Sequence, residues 1–235
     1  MPLAPVLVHV FTALGAVCAL FAALAIPNSD WVGLFFWLGV ALFIDGIDGT
    51  FARMADVHEK LPRFSGETLD LVIDYVTYVF VPVLALLAAG HLTGILGEVL
   101  AAGILLTSLY HFSDNGSKNE EKSFVGFPAI WNVVAFYIFV FAPAWEVTAA
   151  IIAICIVLTF VPWPWAHPLR VVKLRPVTMA ITMIWSIAAA VAVWQGLSTA
   201  TFAVKATLIA SAVYAVGLAL WRRGTGSAGH SPSSI

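Results

Sequence analysis

The sequence predicts an all-α, polytopic membrane protein of about eight transmembrane helices. Three observations predict it. Of the 235 residues, 61% are apolar and only 10% are charged, and mean hydropathy is +0.98. A soluble domain typically runs about 45–50% apolar and about 25% charged, so too few charges are present to cover a soluble core. A soluble domain, a disordered chain and a collagen-like fibre are all excluded. The apolar residues gather in stretches close to the roughly 20 residues that cross a bilayer. The basic residues, finally, fall on alternate loops.

The first apolar stretch, Val6–Ile26, contains Ala23-Leu24-Ala25, which resembles a signal-peptide cleavage site. No Lys or Arg precedes it, so it is read as a retained span. The second, Trp31–Arg53, and the third, Gly66–Ala89, adjoin one polar loop and carry carboxylates at that shared end. The fourth is Ile95–Phe112. The fifth, Pro128–Phe141, is short, and an earlier start near Phe124 stays open. The sixth is Trp145–Pro162, the seventh Val177–Gln195 and the eighth Phe202–Trp221. Residues 1–223 are read as a single membrane-embedded catalytic domain. Residues 224–235, rich in Gly and Ser, are read as a disordered tail.

Charge sets the sidedness. Arg53, Lys60 and Arg63 lie in the second loop, and Lys118 and Lys122 in the fourth. Arg170, Lys173 and Arg175 lie in the sixth, and Arg222 and Arg223 follow the last span. Of the 11 Lys and Arg, Lys205 alone falls on the other side. The positive-inside rule makes the basic side cytoplasmic, with both termini inside. Trp31, Trp145, Trp194 and Trp221 stand where interfacial aromatic anchors belong. A net charge of −2 gives no argument for nucleic acid. Cys18 and Cys155 lie inside apolar runs and read as small core hydrophobes.

The informative residues are carboxylates within hydrophobic sequence. Asp45 and Asp48 close the second span at i,i+3 spacing. Asp70 and Asp74 open the third at i,i+4. Each pair therefore projects from one helical face. An ionised Asp at membrane depth costs about 2.5–3.5 kcal/mol, and Arg53 is the only cation embedded beside them in the sequence. Hard oxygen ligands from two helices suit one or two divalent cations such as Mg²⁺ or Mn²⁺. Gly46, Gly49 and Ala52 remove bulk beside the acids and permit close approach. A proton or ion pathway, as in an ion-coupled transporter, also uses intramembrane acids. Against it, the acids gather at one end, and no other span continues a path.

Asp45-x-x-Asp48-Gly49-x-x-Ala52-Arg53 followed by Gly66-x-x-x-Asp70-x-x-x-Asp74 resembles the signature of the CDP-alcohol phosphotransferases, with eight positions matched. Twelve residues separate Arg53 from Gly66, a longer loop than most of that family has. The chain is further similar to the bacterial phosphatidylcholine synthase branch, which shares the long loop. The supporting stretches are Leu61-Pro-Arg-Phe-Ser-Gly66, Asp74-Tyr-Val-Thr-Tyr-Val-Phe-Val-Pro82, Gly126-Phe-Pro-Ala-Ile-Trp-Asn132 and His167-Pro-Leu-Arg170.

That resemblance implies the family's helical bundle, bound to a bacterial inner membrane, and a homodimer. It implies transfer of a phosphatidyl group from CDP-diacylglycerol to choline with release of CMP. The alternative within the family is a different acceptor alcohol, such as serine, inositol or glycerol phosphate. Asp45, Asp48, Asp70 and Asp74 are implied ligands of two divalent cations, Mn²⁺ or Mg²⁺, with Asp74 also the general base. Gly49, Ala52, Arg53 and Gly66 match positions around the nucleotide and phosphates. Choline, a quaternary ammonium, is best held by aromatic faces at about 0.5–2 kcal/mol per contact. Tyr78, one turn from Asp74, is the first candidate, with Tyr75 and Trp131 beside it. His9, His58, His91 and His230 show no ligand spacing.

Overall fold

The computed structural model describes residues 3–55, 64–114, 124–162, 164–165 and 174–226. Among these stand eight apolar helices: α1 (Leu3–Ala25), α2 (Trp31–Met54), α3 (Gly66–Ala88), α4 (Gly94–Ser113), α5 (Trp131–Phe141), α6 (Trp145–Thr159), α7 (Arg175–Trp194) and α8 (Phe202–Gly226). By length and composition, six of them can cross a membrane, the exceptions being α5 and α6. With 11 and 15 residues, and a rise of about 1.5 Å per residue, these two span roughly 16 and 22 Å. That is less than the roughly 30 Å of a bilayer's hydrocarbon core.

The fifth helix begins at Trp131 rather than at Pro128 or Phe124. Ala129 takes a left-handed φ of 54°, which stops a helix from running through it. Phe124 and Val125 instead pair antiparallel with Trp165 and Pro164. Phe127 N–H donates to Leu158 O at 3.0 Å, so this non-helical stretch caps one of the last carbonyls of α6. The basic residues Lys60, Arg63, Lys118, Lys122, Arg170 and Lys173 lie outside the described residues, as do His58, His167, His230 and residues 227–235. Helix α8 continues to Gly226, three residues into the stretch read as a tail.

Two caps place the helices that matter. Asp30 opens α2 by accepting from Gly33 N–H at 2.8 Å. Ser65 opens α3 by accepting from Thr68 N–H at 3.1 Å, so α3 starts four residues before Asp70. Inside α3, residues Tyr75–Phe80 form a π-helical turn directly after Asp74. Pro82 follows it, lacking an N–H and crowding the carbonyl four residues back, and the wider turn accommodates that strain. Helix α1 packs along α2 and against the start of α3. Gly15 makes the second contact close: a Cβ there would stand 2.6 Å from Ile73 Cγ2. The core, with Leu34, Val79, Leu86, Ile104 and Trp131 fully or nearly fully buried, lies among α2, α3, α4 and α5. Cys18 is buried and Cys155 half-buried, both as free thiols.

Candidate active site

The carboxylates of α2 and α3 meet at the end of the bundle where α2 stops and α3 starts. Each of Asp45, Asp70 and Asp74 offers an oxygen within 4.8 Å of the others' oxygens. All three are half-buried. Like charges at such a separation repel by on the order of 3 kcal/mol per pair at an effective dielectric near 20. A divalent cation between them reverses that sign, and three carboxylates are the hard oxygen donors that Mg²⁺ and Mn²⁺ prefer. The donor set therefore fits a divalent metal.

Asp48 lines the same cleft but is held differently. It is buried, 7% exposed, and its Oδ2 accepts a hydrogen bond from Thr12 Oγ1 at 2.8 Å. Thr12 belongs to α1, which the sequence reading leaves out of the site. Thr12 and Gly15 both line the cleft, so α1 forms a third wall beside α2 and α3. The signal was present in the sequence: His9, Thr12 and Gly15 recur every three residues along an otherwise apolar helix, marking one polar, small-residue face.

The aromatic candidates separate. Tyr78 is buried and donates from its hydroxyl to Asp45 Oδ2 at 2.5 Å. Tyr75 turns towards α4, donating to Leu105 O at 3.4 Å and meeting Phe112 edge-on at 6.3 Å. Trp131 has no exposed surface. Its indole N–H donates to Ser108 Oγ at 2.9 Å and its ring packs on Phe127 at 5.0 Å. Those contacts make Tyr75 and Trp131 part of the α3–α4–α5 packing, while Tyr78 is the aromatic residue bonded to an acid of the site.

At the rim, Arg53 is exposed and folds back along its own helix to Thr50, Nη2 to Oγ1 at 3.1 Å. The Arg53 guanidinium lies over Gly49, where a Cβ would stand in ordinary contact with Nη1 at 3.5 Å. Ala52 is half-buried beside it. Where Gly66 lacks a Cβ, the His9 ring is seated, with Cε1 at 2.8 Å from the missing atom.

The sequence profile for CDP-alcohol phosphatidyltransferase matches residues 3–163, a range that contains the four aspartates, Thr12, Tyr78 and Arg53. The chain belongs to the CDP-alcohol phosphatidyltransferase family. It is thus a transferase of phospholipid biosynthesis, built as a multi-pass helical membrane protein. This phosphatidyltransferase is 47% identical over 182 residues to the "Phosphatidylcholine synthase" of Bradyrhizobium diazoefficiens, covering 77% of this chain and 67% of that one. It is 44% identical over 188 residues to the protein of that name in Mesorhizobium japonicum, covering 80% and 70%. With the Pseudomonas aeruginosa protein so named it shares 40% identity over 216 residues, covering 92% and 90%. These likenesses run over 182 to 216 residues, well beyond the length of the acid signature.

Proposed function

We propose that this protein transfers the phosphatidyl group of CDP-diacylglycerol to the hydroxyl of choline and releases CMP. One observation carries the reading: Asp45 of α2 converges with Asp70 and Asp74 of α3 in a chain whose relatives bear the name of that activity.

Asp45, Asp70 and Asp74, with Asp48 beside them, would hold two divalent cations, Mn²⁺ or Mg²⁺. Bound there, such cations would neutralise the pyrophosphate and the charge that builds on CMP. Asp74 takes the proton of the choline hydroxyl. The choline oxygen then bonds to the phosphorus bearing diacylglycerol, and that phosphorus loses its bond to CMP, which leaves with the electron pair. Arg53 supplies positive charge to the phosphates from the rim, Gly49 and Ala52 keep the nucleotide's path free of bulk, and Gly66 admits the His9 ring at its edge. Tyr78 is the aromatic candidate for the trimethylammonium group. Tyr75 and Trp131 support the wall behind it.

The basic loops favour an orientation with both chain ends and the acid site on the cytoplasmic side of a bacterial inner membrane. Activity is assigned to residues 1–223, and the working unit to a homodimer. Truncation after Arg223 with turnover retained, and cross-linking of the protein in membranes to a pair, test those two assignments. Accessibility of single cysteines in the 55–65 loop to a membrane-impermeant thiol reagent, in sealed inverted vesicles but not in spheroplasts, tests the orientation.

The decisive experiment supplies purified protein, CDP-diacylglycerol and Mn²⁺ with labelled choline, serine, inositol and glycerol phosphate in parallel. Lipid product forms with choline alone, and Asp74→Asn forms none. Product from a different alcohol reassigns the acceptor. Full turnover by Asp74→Asn removes the base. Ion flux into liposomes without CMP release would reassign the acids to transport.

A further inference from the structure

We infer that His9 of α1 is a substrate-binding residue, its Nε2 hydrogen-bonding the CMP half of the liponucleotide. This deepens the proposed function and rests on it for the identity of the ligand.

His9 Nε2 is buried and has no hydrogen-bond partner among the described residues. A buried polar atom left this way forfeits the hydrogen bonds water would have made, and native structures rarely tolerate it without a ligand or water to complete it. The ring is also fixed: it tilts against Phe64, centroids 4.6 Å apart, and fills the space beside Gly66. Its orientation is therefore built into the packing of α1 on α3.

Two independent helical registers place that ring at the mouth of the acid site. On α1, His9 lies three residues before Thr12, on the same face, and Thr12 is bonded to Asp48. On α3, His9 touches Gly66, which lies four residues before Asp70 on the same face. At about 1.5 Å per residue, both offsets set His9 some 5 Å along the helix axes from the level of the acids, on the side where α2 ends and α3 begins. With the pyrophosphate at the acids and the acyl chains in lipid, that side receives the nucleotide. An imidazole nitrogen donates an N–H to ribose or phosphate oxygen, which the trimethylammonium end of choline cannot accept.

The test measures CMP binding to the purified full-length protein in detergent with Mn²⁺, together with KM for CDP-diacylglycerol and choline. His9→Leu and His9→Asn are expected to weaken CMP binding by about tenfold, the scale of one charge-assisted hydrogen bond, and to raise KM for CDP-diacylglycerol in step. The choline KM stays within about twofold. His9→Gln, whose amide nitrogen reaches as far as Nε2, restores CMP binding to within about threefold of the parent. The contrast of Asn with Gln decides the matter even if Leu does not fold. Parental CMP affinity in His9→Asn overturns the inference, and so does equal loss of CMP and choline affinity in all three variants, which marks packing alone. Parent protein that binds CMP yet forms no phosphatidylcholine would overturn the acceptor assignment and leave the His9 comparison standing. Parent protein that binds no CMP would overturn both.

Discussion

The Tyr78 hydroxyl donates to Asp45 Oδ2 across 33 positions of sequence, joining the π-turn of α3 to the acid of α2. That bond turns the phenol onto a carboxylate, whereas the choline contact proposed above would fall to the ring.

Substitution separates them. Tyr78→Phe removes only the hydroxyl, so the Mn²⁺ concentration for half-maximal activity rises by about tenfold, matching about 1.5 kcal/mol for a hydrogen bond to a charged acceptor. Choline KM stays unchanged. Tyr78→Leu also removes the ring and raises choline KM several-fold, within the roughly 0.5–2 kcal/mol of one cation–π contact. Metal and choline titrations of both variants read the two effects. A choline KM untouched in Tyr78→Leu would take the ring out of choline recognition.

Thr12 holds Asp48 from a helix that carries no acid of its own in the cluster. Thr12→Val keeps the shape and removes the donor, leaving Asp48 Oδ2 without this partner in a buried place. The expected result is weaker Mn²⁺ binding by electron paramagnetic resonance titration, by about tenfold. Thr12→Ser restores it. A merely structural role would lower stability in Thr12→Val without moving the metal titration.

Removing divalent cations with a chelator should abolish turnover reversibly, and either Mn²⁺ or Mg²⁺ should restore it. The residues predict this because Asp45, Asp70 and Asp74 offer oxygen donors alone, with no thiolate or imidazole joining the cluster among the described residues to favour zinc. Full activity after exhaustive chelation would separate the acids from metal binding.

Gly126 combines a φ of +83° with a position where a Cβ would lie 2.3 Å from Thr159 O. Gly126→Ala must therefore move the turn that caps α6. The cost is about 1–3 kcal/mol for the backbone conformation alone, more with the clash. A thermal unfolding midpoint in detergent several degrees below the parent checks it.

Tyr137 ties three helices at once, donating to Leu208 O at 2.8 Å and accepting from Trp185 Nε1 at 3.0 Å. Tyr137→Phe deprives both partners, so a stability loss of about 1–3 kcal/mol is expected. KM for both substrates should not change, because among the described residues α7 and α8 supply none to the acid cleft. Thermal midpoint and steady-state kinetics measured together check the pair of expectations.

Much of this was legible in the chain. The spans read from hydropathy overlap the eight helices, because hydrocarbon demands long apolar runs with internally satisfied backbones. The spacing of Asp45 with Asp48, and of Asp70 with Asp74, specified which face of its own helix each acid occupies. The ends of α5 and α6 were misread because hydropathy does not register a left-handed Ala129, nor an N–H from Phe127 that closes α6.

What the sequence determined by itself was an acid-bearing membrane bundle with four carboxylates near one loop and a signature to match. Tertiary structure alone decided their division into a close trio and a separately held Asp48, the turning of Tyr78 onto Asp45, and the arrival of α1 with Thr12 and His9. The reason is geometric. Local spacing sets a residue's direction around its own axis, whereas which faces meet depends on how closely helices approach. Here that approach is set by a glycine at 15 against an isoleucine at 73, two residues far apart in sequence, and by a π-turn that Pro82 follows.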